Sequence, residues 1–361
     1  MGILLVILLS GFVVIILFLK FYPAFGGKVT QAKRLEYENA SNYSKGRFLN
    51  QIDTDMNMSF TENMKIMKDF VKTSPNRKPK DLLKTERPNW KSDKHAKVMW
   101  FGHSAFMLEL DGKTLLLDPM FGSVPSPVPI VGGKRYSGVL PVEIEELPWI
   151  DAVLFSHDHY DHLDYGSIKK LKDKVGRFIV PLGVGSHLQR WGVEPERIQE
   201  HNWWNELEFV GLHLVCTPAR HFSGRGLTGR NSTLWCSWVI SGKQAKIYFS
   251  GDSGYGPHFK EIGEKYGPFD IALMECGQYD ERWSTIHMMP EETVQAHLDV
   301  KGKWLIPIHW GAFTLALHDW TDPVERVKKA AEQRGVSVST PRIGEIINIG
   351  NQTYPSTMWW K

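Results

Sequence analysis

A chain of 361 residues with 42% hydrophobic and 12% aromatic residues can bury a large core and is not disordered. The net charge of +3 excludes nothing by itself, but three widely spaced cysteines, Cys216, Cys236 and Cys276, exclude a disulfide framework and a CxxC metal site. The charge is unevenly distributed: from Lys20 to Lys97 there are 17 Lys/Arg against 9 Asp/Glu, so the remainder is net acidic.

The chain opens on Ile3 to Leu19, an apolar run interrupted only by Ser10 and Gly11 and followed by Lys20, Phe21, Tyr22 and Phe25. This length and composition predict a membrane anchor over residues 1–26. No basic residue precedes the run, which disfavours a cleaved signal, although Ala24-Phe25-Gly26 is a passable cleavage site. The Lys/Arg excess after the run puts the body of an anchored protein on the cytoplasmic side, and on the periplasmic side if the run is an exported signal. Residues 27–96 read as a basic extension or linker, with a breaker set at Ser74-Pro75-Asn76-Arg77-Lys78-Pro79. One helix is expected there, Glu62 to Lys72, with Met64, Met67, Phe70 and Val71 on one face.

Strand patterns begin at Lys97: Val98 to Phe101, Ser104 to Leu110 and Thr114 to Leu117, the last two joined by a tight turn at Asp111-Gly112. Ala152 to Phe155 is a further strand, Tyr165 to Leu171 a helix, Arg177 to Val180 a strand and Gly183 to Trp191 a helix. Leu207 to Thr217, Thr233 to Ile240, Ala245 to Ser250, Ile271 to Glu275 and Trp304 to Ile308 read as single strands. Helices are expected over Pro290 to Leu298 and from Thr321-Asp322-Pro323 to near Gly335. Val336 to Ser339 and Ile346 to Ile349 close the chain. Many strands with interspersed helices predict an α/β fold of sheets covered by helices, over residues 97–361.

The chemistry concentrates just after Ala152 to Phe155, in Ser156-His157-Asp158-His159-Tyr160-Asp161-His162. An extended backbone points His157 and His159 the same way, and Asp161 and His162 follow where the chain turns. Three imidazoles and a carboxylate in six residues suit a borderline metal such as zinc, and crowding them at a strand end has no folding benefit. Asp118, His221, Asp252 and His309 each fall just beyond the C-terminal end of a predicted strand, where sites are assembled. Any one of them alone reads better as a turn residue; together with the cluster they point to a metal centre. His103 lies near the same edge but reads equally well as a turn residue. The other histidines, His95, His187, His201, His213, His258, His297 and His318, lack such a context.

His157-x-His159-x-Asp161-His162 followed by His221, Asp252 and His309 resembles the metallo-β-lactamase superfamily over about residues 97–350. The resemblance implies a four-layer α/β/β/α sandwich with two zinc ions. His157, His159 and His221 would hold one ion, Asp161, His162 and His309 the other, and Asp252 would bridge. Asp118 would orient a ligand histidine. Asn231 to Trp238, Ser250 to Tyr255, Arg282-Trp283, His287 to Glu292 and Ile308 to Gly311 resemble more narrowly the N-acyl-phosphatidylethanolamine-hydrolysing phospholipase D family and its bacterial relatives. That likeness implies a phospholipid phosphodiester substrate and a role for His287 in the site. The loop Phe222-Ser223-Gly224-Arg225-Gly226-Leu227 departs from the animal enzymes.

Two divalent ions about 3.5–4 Å apart activate a bridging water and stabilise the entering and leaving oxygens of an in-line displacement. Seven donors leave coordination positions open, and Asp161, Asp252 and His287 are the expected catalytic groups. The expected activity is a membrane-associated, zinc-dependent phosphodiesterase of phospholipase D type. Its expected partners are a phospholipid and the membrane, with a homodimer left open and no nucleic acid, since no basic stripe surrounds the site. The alternatives are a lactonase acting on a phosphorylated sugar acid and a non-catalytic metal-binding membrane protein.

Overall fold

The computed structural model describes residues 2–54, 59–72, 76–90, 95–226 and 228–361, with only the backbone for 2–4. Ser74 and Pro75 of the breaker set, residues 91–94 of the basic stretch, Leu227 and the Ile3 side chain lie outside the described residues.

Two seven-stranded sheets form the body. The first contains β3 (Lys97–Trp100), β4 (Phe106–Leu110), β5 (Lys113–Leu117), β6 (Ile150–Leu154), β7 (Val175–Pro181), β8 (Ile198–His201) and β16 (Ile346–Asn348), in the order β16-β3-β4-β5-β6-β7-β8. The second contains β9 (Glu206–Phe209), β10 (Leu212–Thr217), β11 (Ser237–Ser241), β12 (Lys246–Phe249), β13 (Phe269–Glu275), β14 (Gly302–Ile308) and β15 (Ser337–Val338), in the order β15-β14-β13-β12-β11-β10-β9. The first sheet is antiparallel from β16 to β5 and parallel from β5 to β8; the second is antiparallel from β9 to β12 and parallel from β12 to β15. The turn expected at Asp111-Gly112 joins β4 to β5 with φ of 52° and 73°, the positive values a tight hairpin requires.

Alternation along the strands divides the core. Val98, Trp100, Leu108, Leu115 and Leu154 belong to the same buried cluster as Leu214, Trp238, Ile247 and Leu305, so the sheets pack face to face. Met99, Met107, Leu116 and Val153 point the other way, onto Ile168 and Leu171 of α4 (Tyr165–Leu171) and Leu188 of α5 (Gly185–Arg190). The far side of the second sheet is covered by α6 (His258–Tyr266), α7 (Pro290–Asp299) and α8 (Asp322–Gln333), which bury Phe259, Val294 and Val327. Each such side chain contributes about 1.5–3 kcal/mol by leaving water. The expected sandwich of sheets and helices is therefore observed.

One expectation needs correction and another is left without support. Leu207 to Thr217 is not one strand but the hairpin β9–β10, because Val210 and Gly211 both adopt positive φ, 46° and 89°. Among the described residues no helix is long and apolar enough to cross a membrane, so the anchor expected over residues 1–26 is unsupported. What forms there is α1 (Gly2–Phe21), whose apolar side chains from Leu5 to Phe18 are exposed. Its C-terminal end is fastened to the body. Arg190 donates to the carbonyls of Lys20, Phe21 and Gly26 at 3.2, 3.0 and 2.7 Å, Trp191 Nε1 donates to Pro23 O, and Arg225 donates to Ala24 O. A cation on the last carbonyls of a helix satisfies them and suits the helix dipole.

The basic stretch that follows packs on the body as well. It forms α2 (Gln31–Tyr37) and the hairpin β1 (Tyr43–Ser44)–β2 (Arg47–Phe48), and it buries Val29, Tyr37, Tyr43 and Phe48 in the main core. Asn50 then brackets the loop after β10, donating to His221 O at 2.9 Å and accepting from His221 N at 3.1 Å. The helix expected over Glu62 to Lys72 is α3 (Phe60–Val71), opened by a reciprocal cap between Ser59 and Glu62.

Candidate metal centre

Six chain segments meet at the strand-end edge shared by the two sheets. His103 lies in the β3–β4 turn, Asp118 follows β5, and His157, His159, Asp161 and His162 follow β6. His221 follows β10, Asp252 follows β12 and His309 follows β14. His103, Asp118 and His309 adopt φ of 58°, 40° and 65°, sparsely populated values for such residues that aim their side chains into the site.

The three histidines expected to share one ion are together. His159 Nδ1 lies 2.9 Å from His157 Nε2 and 3.2 Å from His221 Nε2. The second group is also together, with Asp161 Oδ2 3.1 Å from His309 Nε2 and 3.5 Å from His162 Nε2. Asp252 stands between them. Its Oδ2 is 3.1 Å from the Nε2 atoms of both His162 and His309, and 3.8 Å from those of both His157 and His221.

The hydrogen bonds behind these rings fix which nitrogen faces inward. Asp118 accepts from Ser156 N at 2.7 Å and from the Ser156 hydroxyl, and it faces His162 Nδ1 at 2.7 Å. Ser156 Oγ in turn accepts from His157 Nδ1 at 2.9 Å. One carboxylate therefore orients two imidazoles, and both keep Nε2 for the centre. His221 Nδ1 donates to Ile286 O at 3.0 Å and His309 Nδ1 to Gly277 O at 3.3 Å, with the same consequence. Two glycines permit these approaches. A Cβ on Gly254 would lie 2.0 Å from Thr285 O, and one on Gly251, at φ 56°, would lie 2.6 Å from Ser156 Cβ.

Electrostatics suit a cation. Burial first, then neighbouring imidazoles, lowers His157 and His221 well below the usual range, which keeps them neutral. At His162 burial also opposes the charged form, but Asp252, Asp161 and Asp118 outweigh it and raise it well above the usual range. The buried Asp252 Oδ1 has no hydrogen-bond partner, an atom otherwise costly to leave in the interior. Five imidazole nitrogens and two carboxylates, converging without lysine or arginine among them, fit one or two borderline divalent ions.

Further groups complete the site. His287 lies against Glu275 through Nδ1, and Glu275 also accepts from Ser253 N at 2.6 Å and lies 3.6 Å from His309 Nδ1. Burial, reinforced by Asp252, raises Glu275 above the usual carboxylate range, and burial lowers His287. His103 Nε2 is 2.9 Å from Asp161 Oδ2, and burial followed by His309 lowers His103 to about 3, so it is a neutral donor that steadies Asp161. Sequence reasoning missed Glu275 and left His103 open. Both obey the strand-end rule that flagged the others, since Glu275 is the last residue of β13.

The centre forms the floor of a cleft of about 600 Å³. His159, Asp161, Asp252, His287 and His309 line its polar side. Phe222, Trp283 and Leu315, with Ile66 and Phe70 of α3, add apolar surface, and Arg230 and Arg282 line the cleft beside Phe222 and Trp283. Trp235 and Trp238 are fully buried in the core.

A family model described as a beta-lactamase superfamily domain matches residues 113–310. An uncharacterized protein of Mycobacterium tuberculosis (strain ATCC 25618 / H37Rv) is 41% identical over 348 residues, which is 94% of this chain and 92% of that protein. The N-acyl-phosphatidylethanolamine-hydrolyzing phospholipase D 1 of Caenorhabditis elegans is 34% identical over 264 residues, covering 68% of this chain and 74% of that one. Among solved structures, Igni18, a metallo hydrolase from Ignicoccus hospitalis KIN4/I, superposes with a TM-score of 0.55 at 22% identity, over 71% of this chain and 99% of that one. At that identity the likeness bears on the fold.

Proposed function

This chain is a metal-dependent hydrolase of the metallo-β-lactamase superfamily, and from that premise we propose that it is a membrane-associated, dizinc phosphodiesterase of phospholipase D type acting on N-acyl-phosphatidylethanolamine-like lipids. The observation that carries the proposal is the cleft: a seven-donor centre on its floor, with apolar side chains and two arginines lining it above. A phosphodiester with acyl chains has that division of polarity. The likeness to the nematode enzyme supports the same substrate class.

In this reading His157, His159 and His221 hold one ion, Asp161, His162 and His309 hold the other, and Asp252 lies between them. When bound, such a pair activates water and clamps the non-bridging phosphate oxygens. The rest falls to the protein. Asp118 and Ser156 keep the ligand imidazoles in one tautomer. His287, anchored by Glu275 at Nδ1, offers Nε2 to hold or pass the proton that the leaving alcohol needs. Phe222, Trp283 and Leu315 exclude water from the side where acyl chains would lie.

The test is to incubate zinc-loaded protein with a mixed lipid extract and identify the products by mass. Hydrolysis of the phosphate ester on the headgroup side gives phosphatidic acid and an N-acylethanolamine. Intact phosphodiesters, with ring opening of lactones instead, would contradict the proposal.

A further inference from the structure

A second cavity, of about 650 Å³, lies where α1 leaves the body. Ile16 and Leu19 of α1 and Phe25 form an apolar side. Lys20, Lys28, Arg34, Arg47 and Arg230 surround the rest. Among the described residues the one carboxylate lining the cavity, Asp158, is already engaged: it accepts from Gly224 N at 2.8 Å and Thr233 Oγ1 at 2.9 Å and lies 3.1 Å from His187 Nε2. Two arginines on the inner wall are engaged as well, Arg190 on the carbonyls at the end of α1 and Arg225 on those of Ala24, Asp158 and Leu163. The side chains of Lys28, Arg34 and Arg47 have no carboxylate within ion-pair distance among the described residues, and they are exposed. Arg230 is depressed by partial burial and by the neighbouring Arg47, the mark of cations crowded together.

Cations held close around a concave surface lower the energy of an anion placed among them. Here the anion site adjoins an exposed apolar helix, so its occupant should carry an apolar part. We infer that this cavity binds the phosphate of an anionic phospholipid in a membrane surface, with the apolar side chains of α1 against the acyl region. Arg230 also lines the catalytic cleft, so the lipid site and the metal centre share a wall. A protein held this way would meet its substrate with the cleft beside the bilayer. The inference rests on the lipid-directed reading of the protein, but its test does not require turnover.

The full chain is mixed with phosphatidylcholine vesicles, with and without phosphatidylglycerol, and binding is measured by flotation. Wild type should prefer the anionic vesicles, and the preference should fall as salt is raised. The triple variant Lys28→Ala, Arg34→Ala, Arg47→Ala should lose at least about tenfold of that affinity, since each basic side chain near such a surface contributes measurably. Its hydrolysis of a soluble activated phosphodiester should match wild type. Equal binding of both vesicle types, or unchanged binding by the variant, would overturn the inference. Displacement from vesicles by millimolar inorganic phosphate would also overturn it, by identifying a site for the free anion. Preserved anionic binding without cleavage of any lipid would leave it standing and overturn the proposed function instead.

Discussion

Asp118 exerts more control over the centre than its distance from the cleft suggests. Its carboxylate reaches His162 directly and His157 through Ser156. Asp118→Ala frees both rings to rotate, and we expect zinc affinity to fall about 10–100-fold; competition with a chromophoric chelator reads this directly. His287→Ala should behave differently. In the proposed reading it removes a proton-handling group and no metal ligand, so turnover should fall about 10²–10⁴-fold with metal content unchanged. Loss of metal in that variant would mean that His287 is itself a ligand. The residue scale is also where the sequence was most legible. The cluster at 157–162 was visible because strand alternation and a turn bring four donors together within six residues. Glu275 was not, because a carboxylate that ends a buried strand carries no local mark of the histidine that a distant loop brings to it.

At the scale of elements, the site depends on loops approaching more closely than side chains normally allow. Gly254 lets the segment after β12 touch Thr285 and Ile286, and Ile286 O in turn holds His221. Gly254→Ala should force these segments apart, cost about 1–3 kcal/mol of stability, and lower activity; thermal melting and turnover should fall together. Helix α7 sets a pH dependence. Burial lowers His297 from 6.5 to about 4, so folding favours its neutral form. The unfolded chain then binds the extra proton as pH falls between those values. Stability is full above about pH 6.5 and declines toward pH 4, by at most about 1.4 kcal/mol per pH unit from this group. Denaturant unfolding at several pH values should show a shallower slope for His297→Gln. Elements were legible where periodicity was clean, as in β4 to β6 and α8. The β9–β10 turn was hidden because Val210, a β-branched residue, occupies a positive φ that sequence disfavours. The packed stretch from Val29 to Phe48 was hidden because its few aromatic anchors follow neither helical nor strand spacing.

The whole molecule gathers its chemistry from both halves. The first sheet supplies His103, Asp118 and the 157–162 cluster, and the second supplies His221, Asp252, Glu275 and His309. Neither sheet alone completes either group of donors, so metal binding should stabilise the packing of one on the other. Zinc should therefore raise the thermal midpoint of the chelated protein, and a chelator should reverse the gain. The sandwich was legible in the order of strands and helices; the docking of α1 was not, since Arg190, Trp191 and Arg225 reach it across more than 160 residues of sequence. The central claim is that these distant segments enclose a pair of cations between which Asp252 stands. Its most direct test is elemental analysis of zinc-equilibrated wild type and Asp252→Asn after gel filtration. The account predicts about two zinc ions per wild-type chain and loss of at least one in the folded variant, together with turnover. Wild type that binds no zinc, or a variant that keeps both ions and full activity, would contradict it.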